Sequence, residues 1–99
     1  MALMGVFVSS PAAMADVRDC NEYICFAVTG DSNHWTATVS ANRRDVNFLS
    51  VAGPNGAYTG EQHVQSLQLT GTGGGSITGF GSYFINGRLE KTRITESIS

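Results

Sequence analysis

The chain of 99 residues has few charged side chains, few histidines and no long apolar run. Charged residues make up 14% of it and the net charge is -2, so the basic surface typical of nucleic-acid-binding proteins is not expected. No apolar stretch approaches the roughly 18 residues that span a bilayer. The sequence therefore predicts no nucleic-acid partner and no integral membrane span, while its 41% apolar content fits one globular domain.

Motifs of enzymes and cofactor sites are also missing. There is no Gly-x-Ser-x-Gly elbow, and the glycine-rich residues 71–76 lack the lysine of a phosphate-binding loop. His34 near Asp31 and His63 near Glu61 form a metal site only if the fold brings distant segments together. We therefore expect no catalysis, no cofactor and no metal, with a metal-dependent enzyme as the third hypothesis.

The first fifteen residues differ from the rest, because they hold all three methionines and no charge. Their apolar run is followed by Pro11 and then by Ala13-Met14-Ala15, the small-x-small pattern of a signal-peptidase site. No basic residue precedes this run, and the alternative is a short core helix or buried strand. We predict a signal peptide over residues 1–15, a single β domain over residues 16–99, and a secreted or periplasmic protein.

The two cysteines, Cys20 and Cys25, are typical of a disulfide in an oxidising compartment. Bridged Cα atoms lie within about 7 Å, so the intervening chain must turn back. This geometry predicts that the first strand begins near Cys25. The spacing differs from the C-x-x-C of redox motifs, which favours a structural role.

Beyond Cys25 the apolar residues alternate with period two, and Gly, Asn and Asp separate the alternating stretches. Phe26 and Val28 share one predicted face, as do Trp35, Ala37 and Val39. Residues 46–51 form a nearly continuous apolar run, which predicts a strand covered on both faces. The pattern is typical of an antiparallel all-β protein.

The second half of the chain continues this pattern. Pro54 and Asn55-Gly56 favour a tight turn, and a short strand is expected near Tyr58. Further strands are predicted over residues 63–70, 77–85 and 89–98, although residues 61–69 also have a helical alternative. Asn86-Gly87 predicts a type I′ hairpin. We therefore expect a small antiparallel β-sandwich or barrel-like domain of about six short strands.

Five glycines fall on odd positions and would line one face of an extended chain: Gly71, Gly73, Gly75, Gly79 and Gly81. A bare glycine face lets another backbone approach closely, which favours an assembly surface. The alternative is a flexible loop over residues 71–76, followed by two bulge or bend positions. Both interpretations remain open from the sequence.

Two loops carry the candidate partner-binding residues, since loops on rigid β scaffolds often determine specificity. Arg43 and Arg44 form a compact cationic turn, in which aromatic neighbours help to bind an anionic group. The full candidate set is Asp31, His34, Trp35, Arg43, Arg44 and Tyr58.

Two functional hypotheses of different classes follow. In the first, the domain is an exported, non-catalytic binding module for a protein or glycan partner, such as an inhibitor or a chaperone-like factor. In the second, it is a structural subunit of a homo-oligomer or fibre, assembled through β edges and the glycine-lined strand. The last predicted strand carries charges of alternating sign, which is typical of a protected sheet edge.

Overall fold

The computed structural model describes residues 16–99, so the predicted signal peptide lies outside the described residues. Eight strands form two antiparallel sheets of four strands each. The first sheet has the order β1-β2-β3-β6 and the second has the order β5-β4-β7-β8. The strands are β1 (Val17–Cys20), β2 (Ile24–Asp31), β3 (His34–Ala41), β4 (Val46–Ala52), β5 (Tyr58–Gln62), β6 (Ser66–Gly71), β7 (Gly75–Ile85) and β8 (Arg88–Ile98). This architecture confirms the all-β prediction.

The turns follow the predicted local chemistry. The Asp31 carboxylate accepts hydrogen bonds from the backbone N–H groups of Asn33 (2.9 Å) and His34 (3.3 Å), which closes the β2–β3 turn. In the β7–β8 hairpin, Asn86 and Gly87 have φ angles of 51° and 77°. Positive φ at both central residues is the requirement of a type I′ turn, so this hairpin prediction is confirmed.

The two sheets bury one apolar face each against the other. The first sheet contributes alternate residues of β2 and β3, and the second contributes residues of β4 and β7. The largest fully buried side chains are Trp35, Phe26, Ile24, Leu49, Ile77, Val28, Val39 and Val51. The predicted shared faces of β2 and β3 are therefore confirmed, and the core has the layered form of a sandwich.

A bulge explains the nearly continuous apolar run of β4. Val46 pairs with Tyr83 and Phe48 pairs with Ser82, so Asn47 is the extra residue. Val46 and Leu49 consequently both face the core, whereas Phe48 lies on the opposite face. The strand lies between β5 and β7, as expected for a run with apolar residues on both faces.

Glycines in β7 make room for large side chains of the opposite sheet. A Cβ atom on Gly79 would lie 2.5 Å from the Phe26 ring, and one on Gly81 would lie 2.6 Å from Ile24. A Cβ atom on Gly71 would likewise lie 2.5 Å from the Trp35 ring. Gly71, Gly79 and Gly81 therefore face the interior, where they determine how closely the sheets approach.

Three sequence predictions are corrected by the structure. Strand β1 ends at Cys20 and so precedes Cys25, because Asn21 turns the chain by accepting hydrogen bonds from the N–H groups of Tyr23 (2.9 Å) and Ile24 (3.0 Å). The helical alternative for residues 61–69 is wrong, since these residues contribute to β5 and β6. There are eight strands rather than about six, because β1 and β5 are short.

Within residues 16–99, no helix is long and apolar enough to cross a membrane.

Candidate binding surface

The outer face of the second sheet carries large apolar side chains that the core does not use. The strand register places alternate residues on this face, opposite to the buried Leu49 and Ile77. We call this set the outer aromatic face: Tyr58, Gly60 and Gln62 of β5; Phe48, Ser50 and Ala52 of β4; Thr78, Phe80, Ser82 and Phe84 of β7; and Leu89, Lys91, Arg93 and Thr95 of β8.

The tip of the β7–β8 hairpin is the most apolar exposed part of the described chain. Strand β4 pairs with β7 only as far as Tyr83, so the hairpin extends beyond the sheet. Phe84 is 57% exposed, Ile85 44% and Leu89 53%. Tyr58, at 60%, completes the set of large exposed hydrophobic residues among residues 16–99. We call Phe84, Ile85 and Leu89 the hairpin tip.

A depression of about 330 Å³ adjoins the hairpin tip on the same face. Its apolar lining residues are Phe48, Phe84 and Leu89, and its polar lining residues are Asn47, Gln62, His63 and Ser82. A combination of apolar surface and polar groups is typical of a recognition site.

Charge on the outer aromatic face has one sign. Lys91 pairs across the strands with Ser82, and Arg93 pairs with Phe80. Within the described strands of this sheet, no Asp or Glu lies on the face. A depression of about 220 Å³ lies between Phe80, Lys91, Thr92 and Arg93. The face is therefore cationic on a chain of net charge -2.

The candidate aromatic residues have different positions. Trp35 is fully buried, and its indole N–H donates to the Gly73 carbonyl at 3.2 Å. Its ring is thus part of the core rather than an accessible ligand contact. Tyr58 lies on the outer aromatic face, so it alone of the two aromatic candidates is available to a partner.

Arg43 is held by contacts within the chain. Its guanidinium group binds Glu22 at 2.8 Å and Asp45 at 3.1 Å, and it lies 4.8 Å above the Tyr23 ring. The Tyr23 ring stacks on Tyr83, with centroids 3.7 Å apart. Desolvation, with the hydrogen bond that the Tyr83 hydroxyl donates to Tyr23, raises the pKa of Tyr83. The cation therefore completes a structural stack between the sheets.

The other loop candidates are spread over the fold. Asp31 and His34 lie in the β2–β3 turn, whereas Arg44 lies in the turn at the opposite end of β3. His63 donates its backbone N–H to Asn47, also at the Arg44 end. The fold therefore does not bring the two histidines together. In the described part of the chain, no group of three or more His, Cys, Asp or Glu side chains could hold a metal ion.

Two carboxyl groups meet at one open side of the sandwich. Asp19 of β1 and Glu96 of β8 both lie on inner faces, and a hydrogen bond joins them. Burial, reinforced by this bond and by the charge of Asp19, raises the pKa of Glu96 to about 7. One Glu96 oxygen is buried without another partner. The carboxyl group of Glu96 therefore releases its proton at a higher pH than an ordinary glutamate does.

The remaining candidate residues, which are the cysteines and the glycines, take part in the fold itself. Cys20 and Cys25 form the predicted disulfide and face each other directly across β1 and β2. Gly79 and Gly81 are buried in the core, and Gly73 donates its N–H to the Ser32 carbonyl. Gly75 begins β7 with a φ of 127°. The described glycines thus do not form a continuous exposed face, and their role in assembly remains a prediction.

Sequence reasoning missed the outer aromatic face, although a signal for it was available. Gly79 and Gly81 share one face of β7, and Phe80, Ser82 and Phe84 therefore share the other. The alternation separates the two rows, but it does not say which row meets the core. Only the position of Phe26 against Gly79 assigns the aromatic row to the surface.

No family model matches this chain, and neither the curated proteins nor the solved structures contain a match.

Proposed function

We propose that the chain is an exported, non-catalytic binding protein that contacts a partner protein through the hairpin tip. The observation that carries this proposal is the clustering of Phe84, Ile85 and Leu89 at the end of one hairpin. Exposed apolar patches of this kind mark interaction sites on soluble domains. The disulfide supports export, because such bonds persist in oxidising compartments.

A protein partner suits the hairpin tip better than a glycan does. Sugars stack mainly on aromatic rings, whereas Ile85 and Leu89 are aliphatic side chains that bury best against other apolar side chains. Aromatic residues at the centre of a patch are also typical of the residues that dominate protein interfaces. Phe84 is therefore the expected anchor, with the adjoining depression as the receiving surface.

The test is site-specific photocrosslinking in the producing cell. A photoreactive phenylalanine analogue replaces Phe84, and the matched control carries the same analogue at Gln68, which is exposed on the outer face of the first sheet. We expect a discrete adduct from position 84 alone, and its identity then allows purified partner to be titrated. Ile85→Ser with Leu89→Ser should weaken that affinity at least about tenfold.

Stability provides the control for this experiment. Because the hairpin tip is exposed, these substitutions should change the free energy of unfolding by less than about 0.5 kcal/mol. Equal crosslinking from positions 84 and 68, or unchanged affinity in the double variant, would refute the proposal.

A second candidate function is a structural subunit of a homo-oligomer. The position of β8 at the edge of its sheet supports it, since an 11-residue edge strand offers backbone groups for strand addition. In this case the adduct from position 84 would contain two copies of the chain, and native mass spectrometry would detect oligomers. Pairing with a second copy of β8 would bring the Lys91 side chains of both copies to the same edge, and like charges opposed across strands disfavour this assembly.

A further inference from the structure

The charge of the outer aromatic face restricts the kind of partner that fits it. Lys91 and Arg93 occupy alternate positions of β8, following Leu89 in the same row. Alternate residues of a strand lie roughly 7 Å apart, so the row runs from an apolar end to a cationic end over about 14 Å. A complementary ligand therefore needs an apolar part followed by regularly spaced negative charges.

We propose that the outer aromatic face receives an extended, acidic segment of the partner protein. Its apolar side chain packs against Phe84 and Leu89, and its carboxylates bind Lys91 and Arg93. This inference rests on the proposed function, since it names the chemistry of the same partner. It adds a second region of contact, because the hairpin tip alone imposes no charge on the ligand.

An extended peptide matches the spacing of this row. Side chains on one face of an extended segment also repeat every second residue, so acidic residues at alternate positions meet Lys91 and Arg93 in register. In the described residues, β8 has a strand partner on one side only, namely β7. The other side can therefore pair with the main chain of the segment, which positions its side chains over the face.

The depression between Phe80, Lys91 and Arg93 gives the carboxylates a defined place. Its volume is about 220 Å³, and its lining includes the Phe80 ring and the two cations of the neighbouring strand, Lys91 and Arg93. Arg93 can bind a carboxylate through two parallel N–H groups, which a lysine cannot do. We therefore expect Arg93 to contribute more to affinity than Lys91.

The probe is a fluorescent peptide with the sequence Leu-Phe followed by alternating glutamate and threonine. Its control replaces each glutamate by lysine, and polygalacturonate serves as an acidic glycan. We expect the glutamate peptide to bind, the lysine peptide not to bind, and polygalacturonate to compete weakly. Raising the salt from about 20 mM to about 150 mM should weaken binding several-fold, because the contacting charges are exposed.

The decisive variants have matched changes of charge. Lys91→Ala with Arg93→Ala lowers the net charge on the outer aromatic face, and Gln68→Glu with Thr70→Glu lowers it equally on the outer face of the first sheet. We expect at least about a tenfold loss of affinity for the first pair and less than about a twofold loss for the second. Circular dichroism and thermal unfolding confirm that both variants are folded.

The results separate this inference from the proposed function. Equal losses in the two variants, no binding of the glutamate peptide, or preferential binding of polygalacturonate would each overturn the acidic-segment proposal. A discrete partner crosslinked at position 84 would still support the binding function in those cases. Conversely, peptide binding that needs Arg93 but is unaffected by Leu89→Ser would support the carboxylate contacts, and would contradict both the apolar contact of the segment and the role of the hairpin tip.

Discussion

The two sheets share one core but have very different outer faces. On β3 and β6, the outer face of the first sheet exposes polar side chains to solvent: Thr36, Thr38, Ser40, Ser66, Gln68 and Thr70. The outer face of the second sheet carries Phe48, Phe80, Phe84 and Leu89, with Lys91 and Arg93 following Leu89 along β8. A sandwich needs only one apolar face from each sheet, and the first sheet folds with that minimum. The additional apolar residues of the second sheet therefore point to contacts outside the chain.

We expect the largest difference in stability between a substitution on an inner face and one on the outer aromatic face. Phe26 is fully buried, so Phe26→Ala should destabilise the protein by about 3–5 kcal/mol through lost burial and a cavity. Phe84→Ala should change stability by less than about 0.5 kcal/mol, because most of its ring is already exposed. Urea unfolding followed by tryptophan fluorescence measures both. A cost above about 2 kcal/mol for Phe84→Ala would show that the outer aromatic face stabilises the fold.

We expect a smaller difference in stability between alanine substitutions of glycines on the two faces of the second sheet. A Cβ on Gly79 would meet the enclosed Phe26 ring at 2.5 Å, so Gly79→Ala should cost about 1–3 kcal/mol by overpacking. On the outer aromatic face, a Cβ on Gly60 would meet the ends of the Tyr58 and Phe48 side chains, and exposed Tyr58 can move. Gly60→Ala should therefore cost less than Gly79→Ala in thermal unfolding.

The Phe26→Leu background provides the check on this explanation. If overpacking against Phe26 is the cause, Gly79→Ala should destabilise the Phe26→Leu protein less than it destabilises the original chain. An unchanged cost in that background would assign the effect of Gly79 to its backbone instead.

The smallest effect concerns pH at the open side of the sandwich, where β1 and β8 meet. The pKa of Glu96 rises from 4.5 to about 7 on folding, so the folded state binds its proton more tightly than the unfolded state. Stability should therefore fall as the pH rises from 4.5 to about 7, and remain level above that range. Because the side chain is partly exposed, we expect Glu96→Gln to regain only about 1 kcal/mol at alkaline pH.

Thermal unfolding at several pH values tests this prediction, with Glu61→Gln on the opposite edge strand as the control. Glu96→Gln should flatten the dependence of the midpoint on pH, whereas Glu61→Gln should leave it in place. A Glu96→Gln protein that keeps the full pH dependence would contradict the role of the Asp19–Glu96 pair.

Much of the fold was predictable because its information is local. Alternation predicted the inner faces of β2 and β3, and Asn86-Gly87 predicted the hairpin, since positive φ at both turn residues is a property of those residues alone. Strand β1 was missed because the side chain of Asn21, rather than a Gly or Pro, makes its turn. The pairing of β3 with β6 joins segments far apart in sequence, which no local pattern encodes.

The candidate surface was less predictable, because it also depends on contacts between segments far apart in sequence. Trp35 and Arg43 are residue types that often bind ligands, but the fold uses one in the core and the other in a tyrosine stack. Tyr58 is exposed, and its predicted part in partner binding stays a prediction. Phe84 and Leu89 resembled ordinary strand residues, because the sequence does not show that β7 and β8 extend beyond β4.

The disulfide has a consequence for the behaviour of the chain outside an oxidising compartment. Strand β1 has only four residues and pairs with β2 alone. The Cys20–Cys25 bond therefore attaches a short edge strand to the longer strand β2. Reduction leaves β1 held by its backbone hydrogen bonds and by the contact of Asp19 with Glu96. When β1 detaches, residues 25–28 of β2 lose their strand partner on that side. An unpaired strand edge is a template for intermolecular pairing, so we expect the disulfide to reduce aggregation of the chain.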